Sequence, residues 1–401
     1  MEIKTLAFLN WRYPGGGGET VTHHLGHFFH RHGYRIVVYG YRLYEDILPE
    51  EDRRAFTVRT VPLQPGSERA DGEAFARSLR EEGVDCLIVQ GIANAPFEQI
   101  RQLAGCRILF CLHSVPLWEV YAGRSKRVSE LPKQDFWSRL EFRLIRRPVN
   151  LLTDKLKRRT LRTYARMLPH IDRMIMLCPE YRDQMEREIR RSGYPGCDAA
   201  GVRFLSISNP LPRAEEPTHT PKEKVVLYVG RLCYQDKRVD RLLRIWQHIE
   251  REVPEWQLRI LGRGEEMEQL RELARRLGLQ RVTFLGHRTD VAAFYRPATF
   301  NCLTSNFEGQ PMSLIEGQQY GVIPVSFDSY AAIRRITDQG RAGIMVRAYR
   351  LRQYAARLKE AMLDTEAQSR LREQCYREAA RYDLETIGRE WLRLFRELSQ
   401  S

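Results

Sequence analysis

The sequence predicts an α/β protein made of two parallel-sheet domains, and three observations carry that prediction. Short apolar runs of strand length alternate with amphipathic helical stretches along the chain, the pattern of parallel strands covered on both faces. The alternation comes as two successive series, which argues for two Rossmann-like domains. Between them, over 209–223, Pro210, Pro212, Pro217 and Pro221 fall among charged and polar residues, the composition of a linker. A chain of 401 residues is also long for a single core. The expected division is therefore a first domain over 1–208 and a second over 224–383.

In the first series, strands are expected at Ile3–Leu9, Ile36–Tyr41, Val84–Gln90, Ile108–His113 and Met174–Cys178. Helices are expected at Glu19–His32, Asp71–Glu82 and Pro179–Ser192. The second series places strands at Lys224–Gly230, Leu258–Gly262, Val282–Gly286, Thr299–Thr304 and Val322–Phe327. Its helices are Val239–Glu252, Glu265–Leu277, Pro311–Tyr320 and Arg352–Leu363. Two amphipathic helices, Glu366–Arg381 and Leu384–Leu398, close the chain, with Trp391, Leu394 and Phe395 available for packing.

Hydrophobic content of 43% and 29% charged residues describe a globular protein and exclude a disordered one. The net charge of +14 points to an anionic partner: nucleic acid, an acidic membrane surface or a phosphorylated substrate. The eight cysteines form no Cys-x-x-Cys pair, and Cys86, Cys111 and Cys302 lie inside apolar strand-like runs. Buried thiols act there as small hydrophobes, which suits a reducing, cytoplasmic protein without a zinc site. No signal peptide is visible at the start, and no run approaches the roughly 18 apolar residues of a membrane-crossing helix. Any membrane contact is expected to be peripheral.

The stretch 124–166 differs in kind. It carries 14 Lys and Arg against 4 Asp and Glu, a net of +10, with Phe136, Trp137, Leu140, Phe142, Leu144 and Ile145 interleaved. A basic amphipathic helix pair is expected, either lying on anionic lipid headgroups or packed by its apolar side onto the domain. RNA binding is a third reading, though no nucleic-acid motif accompanies the charge.

The chemistry concentrates at 306–319, Asn-Phe-Glu-Gly-Gln-Pro-Met-Ser-Leu-Ile-Glu-Gly-Gln-Gln. Gly309 permits a tight turn, and Pro311 suits the first turn of a helix whose apolar face starts at Met312. A helix N-terminus at the carboxyl end of a strand is a natural anion site, with Glu308 in the loop and Glu316 on the helix. Gly15 to Gly18 follow the first strand and let backbone approach a phosphate; a plain flexible loop is the alternative. The segment is neither Gly-x-Gly-x-x-Gly nor a Walker loop. His113 ends the fourth strand, where open sheets bind ligands, although a lone histidine is often structural. Arg231 and Lys237 follow the first strand of the second domain; they suit phosphate but could also be solvated surface charges. Gly262-Arg263-Gly264 ends the next strand in a turn, and Asp290 serves equally as helix cap or ligand group.

From about Lys224 to Val346 these residues resemble the retaining, nucleotide-sugar-dependent glycosyltransferases of family 4, which have the GT-B fold. The matching elements are Val-Gly-Arg followed by Lys237, then Leu-Gly-Arg-Gly, Phe-Leu-Gly, and Glu308 with Glu316 in Glu-x7-Glu spacing. The likeness is looser in the first half, where the glycine loop and His113 fit. It implies two Rossmann-like domains facing each other across a cleft, with the helix over 384–401 crossing back to the first.

The resemblance further implies that Arg231 and Lys237 hold the donor diphosphate, Glu308 the sugar hydroxyls, Glu316 the ribose and His113 the sugar near its reacting carbon. Gly16 and Gly17 would complete the phosphate cradle. Gly262, Gly309, Gln310, Pro311 and Met312 would line the donor site. It implies a UDP- or GDP-sugar donor, no metal and no other cofactor, and a saccharide or lipid-linked saccharide acceptor. Three positions depart from the family's usual residues: Gln310 where an apolar or aromatic one is frequent, Glu265 in place of proline, and Arg238 in place of glycine.

The mechanism expected is metal-free electrostatic stabilisation of the leaving diphosphate by Arg231, Lys237 and the helix N-terminus around Gly309–Ser313. With no evident carboxylate nucleophile, retention implies front-face substitution. A GT-B-fold nucleotide-sugar epimerase is the competing enzyme reading, and a basic nucleic-acid-binding or scaffold protein the non-enzyme one.

Overall fold

Strands buried on both faces form where the sequence runs continuously apolar. β1 (Thr5–Tyr13) is buried from Leu6 through Asn10, as a central parallel strand must be. The computed structural model describes residues 2–62, 68–127, 135–194, 203–214 and 221–400. Among them the first sheet continues with β2 (Arg35–Leu43), β3 (Phe56–Thr60), β4 (Cys86–Gln90), β5 (Arg107–Leu112), β6 (Arg173–Met176) and β7 (Arg203–Ser206). The second contains β8 (Val225–Val229), β9 (Gln257–Leu261), β10 (Val282–Gly286), β11 (Phe300–Leu303), β12 (Ile323–Asp328) and β13 (Ile344–Arg347).

The strand orders are β3-β2-β1-β4-β5-β6-β7 and β10-β9-β8-β11-β12-β13, and every pairing is parallel. Both orders are the doubly wound pattern, which reverses direction between β1 and β4 and between β8 and β11. Ligands of open α/β sheets sit beyond the carboxyl ends of the strands at that reversal.

Every strand expected from the sequence is present. Three more were not anticipated: β3, β7 and β13 are short, and β3 reads Phe-Thr-Val-Arg-Thr with its last two residues exposed. An outer strand of this kind lacks the continuous apolar run of a central one.

The chain divides into two compact units. One comprises Met1–Gly123, Lys133–Pro212 and Leu384–Ser401, the other Arg124–Pro132 and Arg213–Asp383. The first domain is thus interrupted by Arg124–Pro132 rather than running unbroken to 208, and the break comes after Pro212. Much of the expected linker, 215–220, lies outside the described residues.

The basic stretch splits into two parts with different fates. The Lys155–Met167 helix buries Leu161, Tyr164, Ala165 and Met167, so there the apolar side packs onto the domain. The preceding helical run (Phe136–Glu141, a π-helical turn over Phe142–Arg146, then Arg147–Leu152) buries Phe142. It leaves Trp137 74%, Leu144 67% and Leu152 83% exposed. The packed-face reading is therefore corrected for 136–152.

The Leu384–Gln400 helix belongs to the first unit. Ile387, Trp391, Leu394, Phe395 and Leu398 enter the same core as Phe8, Phe28 and Phe29. Phe29 meets the rings of Phe395 and Trp391 edge-on at 5.2 and 6.3 Å. Gly388 lies against Phe28 so closely that a Cβ would collide with the ring.

Trp391→Ala removes a nearly buried indole from this core and is expected to destabilise the first unit by about 3–5 kcal/mol. Urea unfolding followed by circular dichroism measures it; a loss below about 1 kcal/mol would show that the helix contributes little.

Candidate active site

Three glycine turns set the base of the site in the second unit. Strands β8, β9 and β10 end at Gly230, Gly262 and Gly286, and the turns hydrogen-bond side by side. Gly230 N–H donates to the Leu261 carbonyl at 3.1 Å, Gly262 N–H to Gly286 at 2.8 Å, and Leu232 N–H to Arg263 at 3.0 Å. Backbone packs directly on backbone here. A Cβ on Gly262 (φ +142) would overlap the Gly230 carbonyl oxygen, and one on Gly264 the Leu232 carbonyl oxygen. The Leu-Gly-Arg-Gly motif therefore shapes the loop after β8 rather than presenting charge of its own.

That loop carries Arg231 and Lys237. The loop after β11 carries Glu308, and the two are tied together at the β8–β11 reversal. Asn306 N–H donates to the Asp236 carbonyl at 2.6 Å and Asn306 Nδ2 to the Gln235 carbonyl at 2.9 Å. Thr304 Oγ1 donates to the Arg238 carbonyl at 2.9 Å. Lys237 Nζ consequently meets both carboxylate oxygens of Glu308, at 2.7 and 2.8 Å, and Ser305 Oγ donates to Oε1 at 2.7 Å. The Lys237 and Glu308 side chains are 17% and 9% exposed. Burial works against the ammonium, but Glu308 and Asp236 outweigh it and hold Lys237 above the ordinary lysine value.

Arg231 is more open, at 70% side-chain exposure, and its Nη2 donates to Asp236 Oδ2 at 2.8 Å. Arg238, the departure from glycine, takes the left-handed conformation at φ +52. That explains why glycine suits the position. Its guanidinium pairs with both oxygens of Asp240 at 2.9 Å and lies 4.1 Å from the Tyr234 ring centre.

Gly309, Gln310 and Pro311 are buried beyond Glu308 and lead into the Met312–Gln319 helix. Glu316 lies one turn along. Burial raises its carboxyl above the usual range, and Tyr295 OH donates to Oε2 at 3.0 Å. Asp290 accepts from Ala293 N–H at 3.3 Å, the behaviour of a helix cap.

The first unit brings its predicted residues together at the carboxyl ends of β1, β4 and β5. Gly16 (φ +140) caps the Gly17–Arg31 helix, and a Cβ on Gly18 would lie 3.7 Å from His113 Cδ2. Glu19 occupies that helix's first turn, where burial raises its carboxyl above the usual range. His113 Nδ1 bonds Asn209 Oδ1 at 2.9 Å, and Nε2 contacts Gln90. Burial depresses the imidazole to about 4 despite the Asn209 bond, so the ring is neutral at physiological pH.

A neutral imidazole donates through one nitrogen only, so one of the two amides must turn its NH2 group to the ring. Turning Gln90 achieves this. Thr22, 3.1 Å from the Gln90 amide and 3.0 Å from that of Asn10, then donates to Gln90. Asn10, turned likewise, would donate its otherwise unpartnered Nδ2 to Thr22.

The sequence reading missed the residues that hold these groups in place. Asp236 and Ser305 lie within the motifs and were legible as polar neighbours of Arg231 and Glu308. Gln90, the polar end of an apolar strand, offered a weaker signal, and Asn209, 96 residues from His113, none. Among the described residues, the group able to hold a metal ion is His23, His27 and Asp52.

Residues 213–378 match the family model of glycosyl transferases group 1. The match spans most of the second unit, which is therefore similar to that family. The chain is 28% identical over 192 residues to an uncharacterized glycosyltransferase of Haemophilus influenzae, covering 47% of this chain and 54% of that one. It is 34% identical over 132 residues to the lipopolysaccharide 1,6-galactosyltransferase of Salmonella typhimurium, covering 32% and 36%. The chain thus spans about half or less of the length of these curated relatives.

Solved structures extend the likeness to both units of the chain. Anabaena HepE in complex with UDP-glucose aligns with a TM-score of 0.73 at 15% identity, covering 98% of this chain and 99% of that one. The apo lipopolysaccharide outer core galactosyltransferase WaaB aligns at 0.68 and 20%, covering 96% and 98%. The fold is GT-B.

If the His113 network is as described, its imidazole NMR signals stay fixed between roughly pH 8 and 5. A titration centred near the ordinary value of 6.5 would overturn the neutral assignment.

Proposed function

We propose that the protein is a retaining, metal-independent glycosyltransferase of family 4. It moves a sugar from a nucleoside-diphosphate sugar to a saccharide or lipid-linked saccharide in bacterial surface polysaccharide or glycoconjugate synthesis. The observation that carries the reading is the Lys237–Glu308 pair at the β8–β11 reversal, with Arg231 on the same loop. A UDP donor is favoured by the likeness to HepE, whose structures include UDP and UDP-glucose complexes. The polysaccharide setting is favoured by relatives such as the amylovoran biosynthesis glycosyltransferase of Erwinia amylovora.

In this reading Arg231 and Lys237 bind the donor diphosphate and stabilise the charge that grows on it as the glycosidic bond breaks. Glu308 orients Lys237 and meets the sugar hydroxyls; Glu316 serves the ribose. Gly262 gives the donor loop its shape, and Gly309, Gln310, Pro311 and Met312 border the pocket. His113 serves the transferred sugar as a neutral group, and Gly16 and Gly17 complete the phosphate cradle. Glu308, engaged by Lys237 and Ser305, is poorly placed to act as a nucleophile, which supports front-face substitution. The departing phosphate would then take the acceptor's proton.

Lys237→Ala would leave the Glu308 carboxylate buried and unpaired, a loss of about 3–5 kcal/mol in stability that confuses any activity measurement. Arg231→Ala is the cleaner variant because its guanidinium is largely in solvent. It is expected to lower turnover by about 10²- to 10³-fold with folding unchanged, read by release of nucleoside diphosphate. Near wild-type turnover would remove Arg231 from the phosphate site.

A cytoplasmic protein seated peripherally on anionic lipid is part of the same proposal. No helix among the described residues is long and apolar enough to cross a membrane. The 136–152 run exposes Phe136, Trp137, Leu144, Ile145 and Leu152 together with Arg139, Arg143, Arg146 and Arg147. Apolar insertion beside cationic side chains is the chemistry of an interfacial helix. The protein is expected to float with anionic vesicles at low salt, and Trp137→Ala with Leu152→Ala to reduce that flotation. Absence of flotation by the unaltered protein would discard the membrane seat.

A further inference from the structure

In the first unit three side chains, Tyr13, His23 and His27, converge on the Asp52 carboxylate. Asp52, from the short Glu50–Ala55 helix, is fully buried, with Oδ1 2.7 Å from His23 Nδ1 and 2.8 Å from His27 Nε2. Its other oxygen, Oδ2, accepts the Tyr13 hydroxyl. His23 and His27 stand one turn apart on the Gly17–Arg31 helix, so both imidazoles share a face. The His27 ring packs against Phe56 at 4.6 Å. Beside the cluster lies a cavity of about 300 Å³ bordered by Tyr13 and Phe56.

We propose that His23 Nδ1, His27 Nε2 and Asp52 Oδ1 form a binding site for one divalent transition-metal ion of the zinc class. The ligand atoms lie within 4.8 Å of one another, so small shifts of the two rings bring all three onto one ion. Two imidazoles and a carboxylate are a ligand set that such ions take in preference to Mg²⁺ or Ca²⁺. Metal–ligand bonds of about 2.0–2.1 Å at tetrahedral angles put ligand atoms about 3.3 Å apart, so each nitrogen withdraws from Oδ1 by roughly half an ångström. The ligands are also held from outside, as metal ligands usually are. Tyr13 fixes the Asp52 carboxylate through the oxygen the ion does not use. Glu51 Oε1 lies 3.5 Å from His23 Nε2, placed to accept a hydrogen bond from that N–H when Nδ1 coordinates.

His23 and His27 are 24% and 19% exposed, which leaves an approach for the ion and a fourth position for water. Tyr13 directly precedes Pro14 and the glycine loop. A bound ion would therefore brace the base of that loop against the helix it opens. The role is structural and independent of the donor-binding reading.

The test uses untagged full-length protein, stripped with chelator and dialysed against micromolar Zn²⁺ or Co²⁺. The expected result is one equivalent of metal per chain, a visible Co²⁺ absorption band and a higher melting temperature than in chelator. His27→Ala should lose that equivalent and the melting shift. Because altering buried Asp52 could unfold the chain, His23→Gln on the more exposed side is the second variant, expected to lose the Co²⁺ band while melting cooperatively. No bound metal in the unaltered protein, or binding undiminished in both variants, would overturn the site and leave a hydrogen-bonded cluster around Asp52.

Discussion

The second domain depends on one buried ion pair. Lys237 and Glu308 come from loops 71 residues apart in sequence, and their bidentate contact holds only because both loops are pinned by backbone hydrogen bonds at Asn306, Asp236 and Arg238. A charge pair at this depth is weak as a source of stability, since desolvation offsets most of the attraction. Its value is positional: neither charge can be left alone, so the two loops keep one arrangement. A cation anchored this way is held in one position before any anion meets it.

The glycine turns supply the constraint beneath that pair. At Gly262 and Gly264 the main chain touches the main chain of the loop that bears Arg231, and any side chain would push the loops apart. Charge placement in this site is therefore a product of backbone proximity. The reversal of strand order between β8 and β11 opens the crevice; the glycines set how close its walls come.

Much of this was legible in the sequence. Central strands announce themselves because burial on both faces demands unbroken apolar runs, as in β1 and β12. Short outer strands such as β3 and β7 do not, because their exposed residues break the pattern. Glu308, Lys237 and Arg231 were readable from motif spacing at strand ends. The carboxylates, hydroxyls and amides that hold them were partly hidden. Asp236 and Ser305 sit beside their partners, whereas Asn209 reaches His113 only through the fold. The fate of the basic stretch was not readable either: the same mixture of arginine and leucine packs at Lys155–Met167 and stays exposed at 136–152. The His23–Asp52 cluster went unnoticed because it joins a helix to a residue 29 positions away with no motif between them.

The return of the Leu384–Gln400 helix to the first sheet has a consequence for biosynthesis. Phe28 and Phe29 leave the ribosome before the second domain, yet the surface that covers them, on the Leu384–Gln400 helix, is translated after it. The second domain has all of its strands translated before that surface exists. The order of completion is thus inverted relative to the order of translation: the N-terminal domain is the last to close. Until then the nascent chain carries an uncovered aromatic patch, and a ribosome that stops short releases a protein with that patch still bare.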